Sequence, residues 1–518
     1  MPAPQQRIDE LLRFEPIVFL FLLLAHVSVL FRFEWYPSLD GPAHLYNAHL
    51  IKQLLLGNAH LAEHFTFTPF PVPNWSGHAI MVLLSFLFPP NWVEKGLVLI
   101  IFAGTAFAFR QLVIALRGSR SWGALLVFPF LCTHTFRMGF FNFSISIAVL
   151  LLVLAYWHRI RSEISIARVV KFSLLLGLLY FSNALTLLIA LGSIGLWTLI
   201  GKWDGGTWKE IRRKMIALVA ASAPWLLLTV LFVLRGSEEA AVAYLPKQEL
   251  WTMIVWGRPF TLQTGVSTVI AARVISVCLV LLAIVLLVYR SKKVAIDRKS
   301  DAFLLVIAVL ALIAYVVLPD KAATGGIISV RYLLFFFLFL ALWIASRPHW
   351  PLIGKLLLLP FLLADLWLAY VDHYLTWQLN EAVVEVRSAL PHVRDEATVL
   401  PILYTDDWLV SNVSNYLGTE RGIVVIDNYE AMTTHFPLQW RPQHRAPNDQ
   451  RSFFNSNRPC IDIDRLGERT GVEFDHVLRW EHSPEITDSC TVDLDGQLNE
   501  KFQAEFRSPG GKAELFAR

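Results

Sequence analysis

What most constrains this chain is a succession of apolar stretches, each close to the ~20 residues an α-helix needs to cross a bilayer. They fall at residues 14–33, 95–115, 121–137, 142–158, 167–184 and 186–202, then at 212–234, 270–289, 302–318, 330–346 and 350–370. About eleven spans are therefore predicted. Composition agrees, since 55% of the 518 residues are hydrophobic and only 17% are charged, with a mean hydropathy of +0.51, outside the range of soluble domains. The 13% aromatic content suits bilayer interfaces and excludes a disordered acidic chain or a collagen-like repeat. Past residue 370 the composition becomes that of ordinary soluble sequence. The predicted fold class is thus mainly α, a polytopic transmembrane helical domain over 1–370, followed by an extracytoplasmic α/β domain over 371–518.

Charge sets the expected topology. After the first apolar core come Phe31, Arg32, Phe33, Glu34 and Trp35, which offer no small-residue cleavage site, so the span is read as an anchor and not as a signal peptide. Residues 80–88 are apolar but too short to span, and they are read as a juxtamembrane or re-entrant helix. Arg110, Arg117 and Arg120, with the clusters Arg159/Arg161/Arg168, Lys209/Arg212/Arg213/Lys214 and Arg290/Lys292/Lys293/Arg298, then all fall inside. An odd number of spans with a cytoplasmic N-terminus places the tail and the large first outer loop, 34–94, on the extracytoplasmic face of a plasma (inner) membrane. The net charge of +4 comes with no long basic run, so nucleic acid is excluded as the main partner and membrane lipids are expected instead.

In the tail, 398–404 and 423–426 read as strands, 380–390 and 496–506 as helices, and 513–516 as a closing strand. Asp406-Asp407 after the first strand reads as a solvated turn before it reads as a ligand pair. Cys132 and Cys278 sit inside spans, whereas Cys460 and Cys490 share the tail, where an oxidising compartment would let them pair.

The most informative stretch is 37–49, Pro-Ser-Leu-Asp-Gly-Pro-Ala-His-Leu-Tyr-Asn-Ala-His. Asp40 is placed to cap a helix whose first turn contains Pro42. At ~100° per residue, His44 and Asn47 share its face, so a carboxylate, an imidazole and an amide form one stripe. Spacing alone supports two readings equally, a catalytic stripe or a simple cap with an interfacial histidine.

With its single span, long acidic outer loop, amphipathic juxtamembrane helices and outer tail, the sequence resembles the GT-C superfamily of integral membrane glycosyltransferases. Pro73-Asn74-Trp75, Gly77-His78 and Gly139-Phe140-Phe141-Asn142-Phe143 are also similar to segments of bacterial members. The resemblance implies hexosyl or pentosyl transfer from a polyprenyl-phosphate-linked sugar donor to an envelope glycan, lipid or protein acceptor. In that superfamily the acidic loop residue, matched here by Asp40, acts as the base or positions the acceptor. Asp40 is expected to be the base, with His44 and Asn47 on its face orienting it or the acceptor, and Asn74, His78 and Asn142 are expected substrate contacts. Many relatives carry two nearby acids in this loop, but here Gly41 and Pro42 follow Asp40, so a divalent metal is possible without being supported, no other cofactor is implied, and no metal ligand is assigned.

The chemistry points the same way. A sugar on a lipid phosphate already has a good leaving group, so transfer needs one carboxylate to take the acceptor's proton and cations to hold the phosphate. Arg331, at the outer end of a span, is the first candidate for that phosphate, with Lys321 and Arg137 behind it. Two other readings use the same sequence. A non-catalytic lipid-carrier binder or flippase would need the cavity without acid–base chemistry. A zinc peptidase would use His60, Glu63 and His64, which match H-x-x-E-H but lie on what can only be a short helix.

Overall fold

The computed structural model describes residues 12–201, 206–236, 242–262, 265–288, 302–322, 325–347, 350–444, 461–482 and 489–518. Among them, six helices are long and apolar enough to cross a membrane: Pro90–Arg117, Phe141–Ile160, Trp208–Arg235, Val266–Val288, Ile328–Ser346 and Leu352–His392. Shorter apolar helices occur at Glu15–Val27, Ser76–Ser85, Ala184–Ile200 and Ala302–Val317. Arg290, Lys292, Lys293 and Arg298 lie outside the described residues.

Contacts divide the chain into two units, Met1–Val29 with Leu99–His373, and Leu30–Val98 with Tyr374–Arg518. The first is the helical bundle. Its helices are rich in Leu, Ile, Val, Ala and Phe. Asn183 both ends Ile166–Ser182 and opens Ala184–Ile200, its side chain accepting from the Thr186 N–H at 3.1 Å. Ile328–Ser346 is the most enclosed of the six, with 78% of its apolar window buried. Glu15–Val27 and Trp208–Gly236 instead keep Ile17, Phe21, Leu227 and Leu234 exposed. In a bilayer such faces meet acyl chains, which solvate them as well as a core would.

One predicted span takes a different form. Residues 121–137 are not a continuous α-helix but a 3-10 helix, Trp122–Phe130, followed by the short helix His134–Arg137. Pro129 has no N–H to give an α-helical ladder, and the Thr133 side chain caps the new turn by accepting from the Phe136 N–H. The segment starts where Ser121 Oγ donates to the carbonyl of Ala345, near the end of Ile328–Ser346, and ends where Arg137 pairs with Asp372. Everything from Gly123 to Phe130 is buried, which is the condition for irregular backbone at membrane depth. The approach is close enough that a Cβ on Gly123 would lie 2.5 Å from Ala345 Cα.

The second unit joins the loop after the first apolar run to the tail. Helix Gly41–Leu55 buries most of its first eleven residues and packs on Ser76–Ser85 and the 3-10 turn Val413–Thr419. Strand Phe65–Phe67 pairs antiparallel with Leu438–Trp440. The tail's sheet has five strands in the order Val424–Val425, Thr398–Leu403, His476–Trp480, Ala513–Ala517 and Gln503–Arg507. The first three run parallel and the last two antiparallel.

The predicted strands at 398–404 and 423–426 are present, but 496–506 is divided. The helix Ser489–Lys501 stops, and Gln503–Arg507 turns into a strand that pairs back on Ala513–Ala517. The reversal between them runs through Gly511, whose φ is +73°. His476–Trp480, the sheet's central strand, was not anticipated at all. Cys490 is disulfide-bonded, while Cys460, its expected partner, lies outside the described residues.

Candidate functional site

The stripe predicted on Gly41–Leu55 forms, and each member has a partner from the tail. Asp40 occupies the N-cap position but makes no side-chain cap bond. Ser38 Oγ accepts from the Gly41 N–H instead, at 3.1 Å. This releases the Asp40 carboxylate, which accepts from Asn412 Nδ2 at 3.3 Å and from Tyr429. The residue retains some access to solvent while protein surrounds its carboxylate. Burial raises it to about 7, against the pull of His44 and with the charge of Glu430 adding to the rise.

The imidazole of His44 is engaged with Glu430. Its Nδ1 meets Oε1 of Glu430, and the other carboxylate oxygen lies 2.9 Å from His78 Nε2. His44, His78 and Glu430 are 3%, 0% and 1% exposed, so three ionisable groups converge out of reach of water. Burial works to raise Glu430, but the two imidazoles hold it down at about 2. The His44 and His78 rings meet edge to face at 5.1 Å, and Phe436 closes over both. Asn47 is also committed elsewhere, exchanging amide hydrogen bonds with Asn428. Asn74 sits at a positive φ of 68° and donates to the carbonyl of His435 at 3.3 Å.

Glu430, Tyr429 and Asn412 are the residues that sequence reading missed. The one local signal was the polar run Asp427-Asn428-Tyr429-Glu430 directly after the buried strand Val424–Val425. Loop acids at the carboxyl end of a parallel strand are where α/β sheets commonly place ligands.

Elsewhere in this unit, His60 and His64 lie on the six-residue helix Ala59–His64, which continues at once into strand Phe65–Phe67. His64 stands between His60 and His444, with ring centroids 5.2 and 5.0 Å away. Burial and its two cationic neighbours lower His64 to about 4. A cavity of about 250 Å³ lined by His49, Lys52, Ser85, Pro89 and Glu420 holds none of the predicted site residues.

In the helical unit, the three predicted cations differ in how they are engaged. The Arg331 guanidinium lies over the rings of Phe140 and Phe143, at 4.8 and 5.1 Å, and its Nε makes no hydrogen bond. Arg137 is committed to Asp372, which also accepts from Cys132 Sγ at 2.9 Å. Its charge is already neutralised within the protein. Lys321 is exposed, and its backbone bridges to Ala243. Asn142 is buried in the first turn of Phe141–Ile160. Asp365, on the helix Leu352–Arg387, pairs with His26 at 3.4 Å.

No family model matches the sequence, and no curated protein does. Among solved structures, the chain is similar to the crystal structure of ArnT from Cupriavidus metallidurans bound to undecaprenyl phosphate. The likeness extends over 99% of this chain and 98% of that one, at 10% identity and a TM-score of 0.41.

Proposed function

We propose that this protein is a membrane glycosyltransferase that moves a sugar from a polyprenyl-phosphate carrier to an acceptor on the extracytoplasmic face, with Asp40 as the general base. The observation that carries the reading is the state of Asp40. It is a carboxylate released from helix capping, still reachable, and brought by its surroundings to about 7. A base of that strength takes a hydroxyl or amine proton in the transition state and is about half ionised at neutral pH. The leaving lipid phosphate needs no acid, so the second carboxylate of a glycoside hydrolase has no role here.

Arg331 is our candidate for the lipid phosphate. Its guanidinium is held by aromatic faces and leaves Nε without a hydrogen-bond partner, and a phosphate oxygen is the acceptor that a guanidinium fork suits. Asn74 and Asn142 remain proposed substrate contacts on the strength of the sequence resemblance.

The test compares envelope lipids and glycans by mass spectrometry from cells carrying the wild type or Asp40→Asn at equal membrane abundance. A product heavier by one sugar only with the wild type supports the proposal and identifies both sugar and acceptor. Identical profiles, with lipid carrier copurifying with both proteins, would instead favour a non-catalytic carrier binder or flippase.

A further inference from the structure

We propose that His44, His78 and Glu430 form a binding site for one divalent transition-metal ion of the zinc class, independent of the transfer reaction proposed above. The nitrogen and oxygen atoms these residues offer all lie within 4.8 Å of one another, and all three residues are buried. They come from three separate places in the chain, helix Gly41–Leu55, helix Ser76–Ser85 and the 3-10 turn Glu430–Met432.

The hydrogen bonding of His78 points to a cation. Its Nδ1 lies 3.2 Å from the carbonyl oxygen of Asn74, which can only accept, so Nδ1 carries the proton. In the neutral ring Nε2 is then a lone pair, and it faces Glu430 Oε2 at 2.9 Å. Two acceptors that close repel unless a positive charge lies between them. The second carboxylate oxygen meets Nδ1 of His44, so the one carboxylate faces an imidazole nitrogen on each side. A histidine whose far N–H is fixed by a backbone carbonyl, leaving the other nitrogen for a metal, is the usual arrangement of a zinc-bound imidazole. The donor set selects the metal class. Two imidazoles and one carboxylate suit zinc and its first-row neighbours, whereas magnesium and calcium prefer oxygen alone.

Bound there, the ion would tie the first outer loop to the tail across nearly 400 residues of sequence, from His44 to Glu430. Three protein ligands would leave a fourth position open.

The test uses the full chain purified in detergent, stripped with a chelator and titrated with cobalt(II) and zinc(II). The expected result is about one metal per chain, with the intense visible bands of four-coordinate cobalt. His78→Ala and Glu430→Gln are each expected to weaken binding by at least about tenfold, while the double variant His60→Ala/His64→Ala keeps full stoichiometry. A wild type that takes up no stoichiometric metal overturns the proposal and makes a proton the cation between His78 and Glu430. Loss of binding in the His60/His64 variant alone overturns it as well, by moving the metal to the other histidine cluster. None of these readouts depends on sugar transfer, so failure here leaves the Asp40 reading standing.

Discussion

Asn47 and Asn428 hydrogen-bond each other in both directions, Nδ2 to Oδ1 at 2.9 Å one way and 3.1 Å the other. Both residues are buried, so this amide pair is a lock between the loop after the first apolar run and the tail, and the other Asn47 amide hydrogen goes to the Ala43 carbonyl. Asn47→Ala leaves the Asn428 amide without that partner, and the expected cost is about 1–3 kcal/mol of stability. The folded variant should keep its turnover. Thermal unfolding alongside product formation checks both, and a fully stable but inactive variant would return Asn47 to the chemistry.

Gly418 lies against the ring of Tyr46, where an added Cβ would come within 2.2 Å of Cε2. Tyr46 cannot retreat easily, because its hydroxyl donates to the Ile423 carbonyl and accepts from the Val425 N–H, both at 3.0 Å. Gly418→Ala should therefore destabilise the second unit by about 1–3 kcal/mol through overpacking. Tyr46→Phe, which removes only the hydroxyl, should cost less, and comparing their unfolding temperatures separates crowding from hydrogen bonding.

Asp427 gives a pH dependence of known sign. It is buried, hydrogen-bonded by Ser414 and Asn415, and raised by burial to about 7. An unfolded carboxylate titrates near ~4, so between the two values the folded chain holds a proton that the unfolded chain has released. Its contribution favours the fold below about pH 4 and is lost as pH rises through about 7. Asp427→Asn should flatten the fall in unfolding temperature across that window, measured against the wild type in one buffer series.

Arg137 and Asp372 are a buried ion pair within the helical unit. Removing either partner should cost about 3–5 kcal/mol, because the survivor is left charged and unpaired, whereas a double apolar replacement should recover much of the loss. A double-mutant cycle by unfolding in detergent measures this. If Arg137→Ala were neutral for stability but lost lipid carrier, the residue would belong to phosphate binding after all.

Arg331 should behave in the opposite way. Arg331→Gln removes a cation that rests on Phe140 and Phe143, which costs about 0.5–2 kcal/mol in stability. The larger expected effect is loss of copurifying polyprenyl phosphate, followed by mass spectrometry. Unchanged carrier content would remove Arg331 from the phosphate site.

The sequence by itself determined what depends on composition and local periodicity. Long apolar runs have one stable form in a bilayer, so helices such as Phe141–Ile160 and Ile328–Ser346 could be placed from hydropathy alone. The helix after Asp40 was equally legible, since Pro42 and a 3.6-residue period specify it without reference to the rest of the chain. Tertiary structure decided the partners. That 122–130 runs as a 3-10 helix depended on Pro129 and on burial around Gly123, and the second of these is a property of neighbours distant in sequence. Glu430 lies 386 positions from His44 by their residue numbers, and no local pattern records that the two meet. The same holds for the release of Asp40 from its cap, where Ser38 takes the Gly41 N–H, and for its rise to about 7, which comes first from burial and then from the charge of Glu430. Periodicity specifies which face a side chain occupies, but its charge state and hydrogen bonds are set by whatever the fold places opposite that face.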